Sequence, residues 1–505
     1  MKRGLVIFIS LFLLLNLNFI FAEACDDCDL GSISVGGNFA CGIRANDSRV
    51  LCWGYGYYGR LGDGISAVHN NTIPTLTADT SEYLSVSAGD YHACGIRKSD
   101  GRVLCWGDGS YGALGDGNNI TTVESLRSGS HAALIPTLTV DTSAYSDISV
   151  GWRHACGIRA NDSRVLCWGF GRDGQLGNGL QISLGNPTLI SDNSVYSKIS
   201  AGVMYTCGIR ANDSRVLCWG LGEYGQLGDG RAYLYFNSNP TLTTDTSGYK
   251  EIEVGYYHTC GIRANDGKVL CWGDGLYGKL GDGRTNDHTV TSPTLIKDTS
   301  SYKRIGIGTW DSRHTCGIRS DGKVSCWGEG RDGDLGDGNI AEHDVGTPTL
   351  ISDNSIYSDV SAGDYHTCGI RANDSRVLCW GRGIHGELGD GISHNIGSPV
   401  LTTDTSAYSS GNCDSVCVEP PAPSTCTPDC SCAFNACIST TCSNGCNGSC
   451  DGLKICPVCG NGIIESPEKC DDGNLINLDG CSDSCTKEGF LKRMKGKLNG
   501  LFSLK

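Results

Sequence analysis

Seven times along the chain the same alternation of apolar and polar positions recurs. Each unit opens on Cys-Gly-Ile-Arg, crosses a short polar turn, and closes on a strand ending Cys-Trp-Gly. In the first unit Cys41 to Arg44 and Arg49 to Cys52 flank the turn Ala45-Asn46-Asp47-Ser48. Pairing across that turn sets Ile43 opposite Val50 and Cys41 opposite Cys52. Cys and Ile then share one face while Leu51 and Trp53 share the other, because side chains alternate along a strand. A hairpin that is apolar on both faces must be covered on both.

Each unit runs on through W-G-x-G-x-x-G-x-L-G-[DN]-G and a variable loop to a strand expected to begin at proline: Pro74, Pro136, Pro187, Pro240, Pro293, Pro348 and Pro399. A further strand candidate, such as Ile148-Ser149-Val150-Gly151, precedes the next hairpin. Four short strands per unit, Gly-rich turns and no helical period describe a propeller blade. The fold class expected is therefore all-β: a seven-bladed β-propeller over 31–408, followed by a disulfide-rich, mostly irregular C-terminal region.

Directly opposed Cα atoms lie about 4.5–5.5 Å apart, within disulfide reach. This predicts one disulfide per blade: Cys41–Cys52, Cys94–Cys105, Cys156–Cys167, Cys207–Cys218, Cys260–Cys271, Cys316–Cys326 and Cys368–Cys379. The sixth unit tests the register. Its cysteines are one residue closer in sequence, and its turn, Ser320-Asp321-Gly322, is also one residue shorter. A zinc half-site is the alternative, but the spacing is a hairpin's and no second ligand pair sits beside it.

Composition narrows the compartment. Thirty cysteines in 505 residues suit an oxidising space. Lys2 and Arg3 precede an apolar run from Leu5 towards Phe21, and Ala22-Glu23-Ala24 follows. Residues 1–24 read as a secretory signal peptide, with a retained anchor as the alternative. The location expected is secreted or cell-surface. The formal charge is −15 with no basic block large enough to follow a phosphate backbone, which argues against nucleic-acid binding by bulk electrostatics.

The stretches Gly151 to Ile158, Val165 to Gly169 and Gly171-Arg172-Asp173-Gly174-Gln175-Leu176-Gly177 resemble the regulator of chromosome condensation repeat. The resemblance recurs through 31–408 and implies a seven-bladed propeller. The chain departs from the nuclear members in its paired cysteines, its leader, and Gly171 where Asn is usual. Those members exchange guanine nucleotide on a small GTPase and touch chromatin; a secreted β-lactamase-inhibiting member works by protein–protein contact.

Beyond the repeats, fourteen cysteines fall between Cys413 and Cys485. Residues 409–458 read as a cysteine-rich linker. Residues 459–488, with Cys459-Gly460-Asn461-Gly462 and Cys470-Asp471-Asp472-Gly473-Asn474, resemble the Myxococcus cysteine-rich repeat of surface proteins, which implies a stalk or spacer. Asp471, Asp472, Asn474 and Asp479 could hold calcium, but their spacing is not that of an EF-hand loop; turn chemistry with solvated carboxylates is the favoured reading, and no metal site is predicted. The basic tail 489–505 could present an apolar stripe for membrane or envelope attachment, but a frayed tail is the favoured reading because Gly496 and Gly500 weaken any helix. Because a propeller joins its first and last blades, Cys25 and Cys28 are expected to bond Cys413 and Cys417.

Candidate chemistry is sparse. Gly54-Tyr55-Gly56-Tyr57-Tyr58-Gly59 satisfies G-x-G-x-x-G but opens into a loop, so a turn is expected and no nucleotide or other cofactor. His92, His154, His258, His314 and His366 stand where the other two units carry Phe39 and Tyr205, which predicts packing or a local hydrogen bond. No catalytic constellation stands apart from the repeat. Asn46, Asn161, Asn212 and Asn373 at hairpin tips, with Asn70, Asn119 and Asn447, fit the glycosylation pattern.

Recognition is expected in the variable connections that all join the same two strands and so emerge at one end of the ring. Their candidates are Tyr91, Trp152, Arg153, Met204, Tyr256, Tyr257, Trp310, Arg313 and Tyr365, in line with the enrichment of aromatics and Arg at binding hot spots. The loops after L-G-[DN]-G, with Tyr233, Tyr235 and Phe236, are the competing candidates. The expected function is a monomeric, non-enzymatic binder of an extracellular protein or glycan. A polysaccharide-active enzyme using the channel is the alternative, and nucleotide exchange is less favoured still. Channel-facing carboxylate clusters would favour the enzyme; an aromatic rim with an apolar channel would favour the binder.

Overall fold

A computed structural model of the chain describes residues 33–118, 131–310 and 312–409. The expected signal peptide, Asn119, the cysteine-rich segments with Asn447 and the calcium candidates, the basic tail, and the expected bonds from Cys25 and Cys28 to Cys413 and Cys417 lie outside the described residues.

Seven separate four-stranded antiparallel sheets form the ring. In blade 1, β1 (Ile33–Val35), β2 (Phe39–Ile43), β3 (Val50–Tyr55) and β4 (Asn70–Leu76) run from channel to rim in chain order. The other six blades repeat this inner, second, third and outer order. The predicted register holds, with Cys41 opposite Cys52 and Ile43 opposite Val50. In the shortened sixth hairpin Cys316 still faces Cys326. All seven disulfides form inside their hairpins, with Cα separations of 4.0–4.1 Å. Proline does not lead the outer strand, as expected above; Pro74 sits inside Asn70–Leu76. An edge strand tolerates it because one side of its backbone needs no ladder partner.

Both faces of each hairpin are used. Cys41, Ile43, Val50 and Cys52 of blade 1 pack against Ala93, Leu104 and Trp106 of blade 2. The seven blade tryptophans are fully buried. Every one donates its indole N–H to a carbonyl in the preceding blade: Trp106 to Arg60, Trp272 to Gln226, and, across the seam, Trp53 to Glu387 at 2.8 Å.

Inner strands leave one side of their backbone unpaired towards the channel. Serines of the neighbouring blade satisfy part of it. Ala88 N donates to Ser34 Oγ at 2.9 Å, Val150 N to Ser87 at 3.0 Å, and Val35 N closes the circle on Ser361 at 3.0 Å.

At the seam one residue also takes a place that each other blade fills from its own inner strand. Each later blade opens its inner strand on a tyrosine, from Tyr83 to Tyr357. Blade 1 borrows its tyrosine from the end of the propeller. Tyr408 bridges Arg44 as Tyr83 pairs with Arg97, and Ala45 N donates to Ala407 O at 2.9 Å. Residues near both ends of 31–408 are thus spatial neighbours, as a closed ring requires.

Candidate functional site

At one end of the ring the inner strands turn into the second strands through seven glycines, Gly36, Gly89, Gly151, Gly202, Gly255, Gly308 and Gly363. A Cβ on Gly89 would overlap the carbonyl of Gly151, and one on Gly151 that of Gly202, so only glycine permits this approach. Immediately after these glycines come the nine residues singled out for binding. All nine are partly exposed, neither core nor fully free.

The structure brings most of them together. Trp152 of blade 3 and Trp310 of blade 6 stack with ring centroids 5.0 Å apart. This is possible because the blade 6 connection reaches across the channel mouth. Thr309 Oγ1 donates to Asp90 Oδ1 of blade 2 at 2.7 Å, and Trp310 N donates to the same oxygen. Burial pushes the Asp90 carboxyl up to about 6 against these two hydrogen bonds. Tyr256 lies 5.3 Å from Trp310 and 3.8 Å from Tyr257. Arg153 lies over Tyr91 at 4.4 Å and pairs with Asp108 at 3.0 Å. Arg313 sits over Tyr277 and pairs with Glu329; Tyr365 carries Arg382. Met204 enters none of these ring contacts.

The loops treated above as competitors lie at this same end. There Tyr233 and Tyr235 meet each other at 5.2 Å, whereas it is the G-x-G-x-x-G segments preceding these loops that extend the belt: Phe170 meets Trp152 at 5.8 Å, Tyr111 meets Phe170 at 5.0 Å, and Tyr224 meets Tyr257 at 4.5 Å. Sequence reading missed Tyr111, Phe170 and Tyr224 because it assigned the motif to turn geometry alone. The turn is real, with Tyr58, Tyr111 and Tyr277 at φ of 58–65°. Bulky residues seldom adopt the left-handed region, and here it aims their rings at the face.

A second feature missed was the pairing of outer-loop histidines with the aspartate of L-G-D-G. His69 Nε2 meets Asp63 at 2.8 Å, His288 meets Asp282 at 3.0 Å and His343 meets Asp337 at 2.8 Å. The signal was present as a histidine six residues beyond that aspartate. These rings lie directly on the first loop glycine: a Cβ on Gly275 would overlap His288.

The five hairpin histidines behave as packing and local hydrogen bonding predict. All are fully buried. His154, His258 and His314 contact Thr206, Thr315 and Thr367 of the next blade at 2.9–3.0 Å. Burial pushes His92, His154 and His366 down to about 3 and His314 to about 4.

The channel is not apolar. Asp147, Glu251, Glu253 and Asp359 line it with Lys198 and Arg304 around about 140 Å³ of water-accessible space. Charges alternate from blade 3 to blade 7 through Asp147, Lys198, Glu251, Arg304 and Asp359. Burial pushes Glu251 up to about 8 and Glu253 to about 7, both well above the ordinary carboxylate range. Among the described residues no group of three or more His, Cys, Asp or Glu is placed to hold a metal.

With this geometry in place, comparison with known proteins is direct. The chain belongs to the RCC1-like domain family, which matches residues 20–368, with an RCC1 repeat matched again at 357–387. It is 28% identical over 374 residues to the ultraviolet-B receptor UVR8 of Arabidopsis thaliana, covering 73% of this chain and 80% of that protein. It is 29% identical over 347 residues to the E3 ubiquitin-protein ligase HERC2 of Mus musculus, covering 64% of this chain but 6% of the ligase. Among solved structures, yeast RCC1 (Prp20) bound to Kap60 superposes with a TM-score of 0.61 at 19% identity, covering 72% of this chain and 85% of Prp20. Human WBSCR16 superposes at 0.58 and 20% identity, covering 68% and 87%. These structural likenesses establish the fold.

Proposed function

We propose that the protein is a secreted or cell-surface binding module whose aromatic face captures a protein or glycan, without an enzymatic step. The continuous ring path Tyr111–Phe170–Trp152–Trp310–Tyr256–Tyr257–Tyr224 carries this reading. Rigid, half-buried aromatics on a fixed scaffold give contact area at little entropic cost. Seven buried disulfides support an oxidising location. A protein of the same fold, Prp20, has been solved with a protein partner, Kap60.

The channel carboxylates are the observation that favours the enzyme reading. One feature weighs against it: the blade 6 connection crosses the mouth of the channel to Asp90.

The test is capture from the native envelope by the purified full chain and by a variant carrying Trp152→Ala, Tyr257→Ala and Trp310→Ala. The expected result is lost capture with thermal unfolding nearly unchanged. A fall of many degrees in the unfolding temperature would place these rings in the core instead and remove the assignment.

A further inference from the structure

Four blades carry a tyrosine at the same place in the G-x-G-x-x-G loop, Tyr58, Tyr111, Tyr224 and Tyr277; at two of the junctions that follow, the next blade supplies an arginine, and at the junction after Tyr58 it supplies Tyr91, which Arg60 and Arg153 cover. Between blades 2 and 3, Tyr111 of the earlier blade faces Arg153, the residue before the hairpin histidine of the next, with Asp108 as counter-charge. Between blades 5 and 6, Tyr277 faces Arg313, again the residue before the histidine, with Glu329 as counter-charge. Both arginines are thereby stacked on rings and paired with a carboxylate. Between blades 4 and 5 the tyrosine is present as Tyr224, but the residue before His258 is Tyr257. The result is three tyrosines in contact beside Trp310, with ring centroids 3.8–5.3 Å apart. Among the described residues no arginine of this chain stacks on Tyr224, Tyr256 or Tyr257, and Glu223, in the same loop, makes no ion pair.

We propose that this junction receives an arginine side chain from a basic segment of the partner protein, stacked on Tyr224 and Tyr257 and paired with Glu223. The inference rests on the binding-face reading and names its partner chemistry. Ring faces attract guanidinium groups, the more so when partly desolvated. Charge complementarity points the same way. Burial, and after it Glu223, Asp274 and Asp287, hold the Tyr224 hydroxyl above the ordinary phenol range; Asp274 is paired with Lys279, which leaves Glu223 as the carboxylate of this loop outside any ion pair among the described residues. The chain as a whole carries −15. The two filled junctions show that the scaffold tolerates this arrangement, with the arginine supplied in cis.

The test titrates the full chain by tryptophan fluorescence with an oligo-arginine peptide and with its citrulline counterpart, which keeps the shape and removes the charge. Three variants accompany the parent. Glu223→Gln removes the counter-charge, Tyr257→Arg fills the site from within as blades 3 and 6 do, and Glu82→Gln alters an exposed carboxylate at the opposite end. The expected result is binding of the arginine peptide alone, weakened about fivefold or more by E223Q and by Y257R, and unchanged by E82Q. Equal binding of the citrulline peptide, undiminished binding by Y257R, or an equal loss with E82Q would overturn the proposal, the last by showing diffuse attraction to an acidic protein. Envelope capture separates the two readings. If the triple alanine variant loses its partner while Y257R and E223Q keep it, the face binds but not through this junction.

Discussion

At the scale of single residues, the hairpin histidine shows how a repeat drifts while its packing stays fixed. Its neighbour in the next blade is Thr in three cases, whereas the equivalent positions of the repeat for His92 and His366 are Ala155 and Ala40. Neither ring nitrogen of these two has a hydrogen-bond partner. A buried polar group left unmade costs about 1–3 kcal/mol. Ala155→Thr and Ala40→Thr, which restore the residue found at the other blades, should each raise stability by about 0.5–1.5 kcal/mol in urea unfolding; a loss would mean the cavity is too tight for the hydroxyl. The same burial fixes the pH dependence. Histidines held far below 6.5 stay neutral in the fold while the unfolded chain takes up protons, so stability falls as pH drops from about 6.5 towards 3. Glu251 and Glu253 act in the opposite sense. Their folded values, about 8 and 7, lie above the ordinary 4.5, so the stability they contribute is lost as pH rises through that window. Between pH 6.5 and 8 only this second effect operates, at up to about 1.4 kcal/mol per pH unit for each proton held. Unfolding followed against pH should therefore show a mildly acidic optimum, and Glu251→Gln should flatten its alkaline side.

Elements were the most legible level. Strand register, the facing of Cys and Ile against Leu and Trp, and the disulfide pairs all follow from a hairpin whose turn and cysteine spacing shorten together at Ser320-Asp321-Gly322. Non-reducing peptide mapping should return the seven pairs within hairpins and no cross-blade bond. Each closes a loop of only 10 or 11 residues, so by the chain-entropy model each contributes at most about 2–3 kcal/mol. Replacing Cys260 and Cys271 together by Ala should cost no more than that and raise amide exchange mainly in blade 5. What the elements do to one another was far less legible. The aromatic belt depends on Trp310 crossing to blade 2, a contact between residues 220 apart in sequence. The alternating channel charges emerge only when inner strands that are about fifty residues apart are set side by side. Neither has a local signature: a period of 2 specifies a strand's faces but not which strand stands across the ring. The histidines of the outer loops were different. Their six-residue spacing from aspartate was readable, and it went unread beside the stronger motif.

For the whole molecule, the decisive contact is the one that turns seven stacked blades into a ring. Each inner strand from blade 2 onward begins with its own tyrosine, whose ring packs on the hairpin glycine and edge-on to the blade tryptophan. Tyr83 lies 6.3 Å from Trp106, and Tyr408 lies 6.5 Å from Trp53. The contacts are alike, but their consequences differ. Tyr249 joins segments that the chain already holds together, so losing it leaves a cavity within a closed ring. Tyr408 joins the end of the propeller to its first blade; losing it removes the same side-chain contacts and also loosens the seam between blades 1 and 7, where Trp53 donates to Glu387. Tyr408→Ala and Tyr249→Ala should each cost about 3–5 kcal/mol, the usual range for a large buried aromatic. Amide exchange should separate them. Tyr249→Ala should raise exchange around blades 4 and 5 only, whereas Tyr408→Ala should raise it in β1, β2 and across blade 7, because an open ring exposes both flanking blades at once. If exchange after Tyr408→Ala rises in blade 1 alone, the seam is held by the Trp53 and Ser361 hydrogen bonds without the tyrosine, and closure does not depend on the borrowed residue.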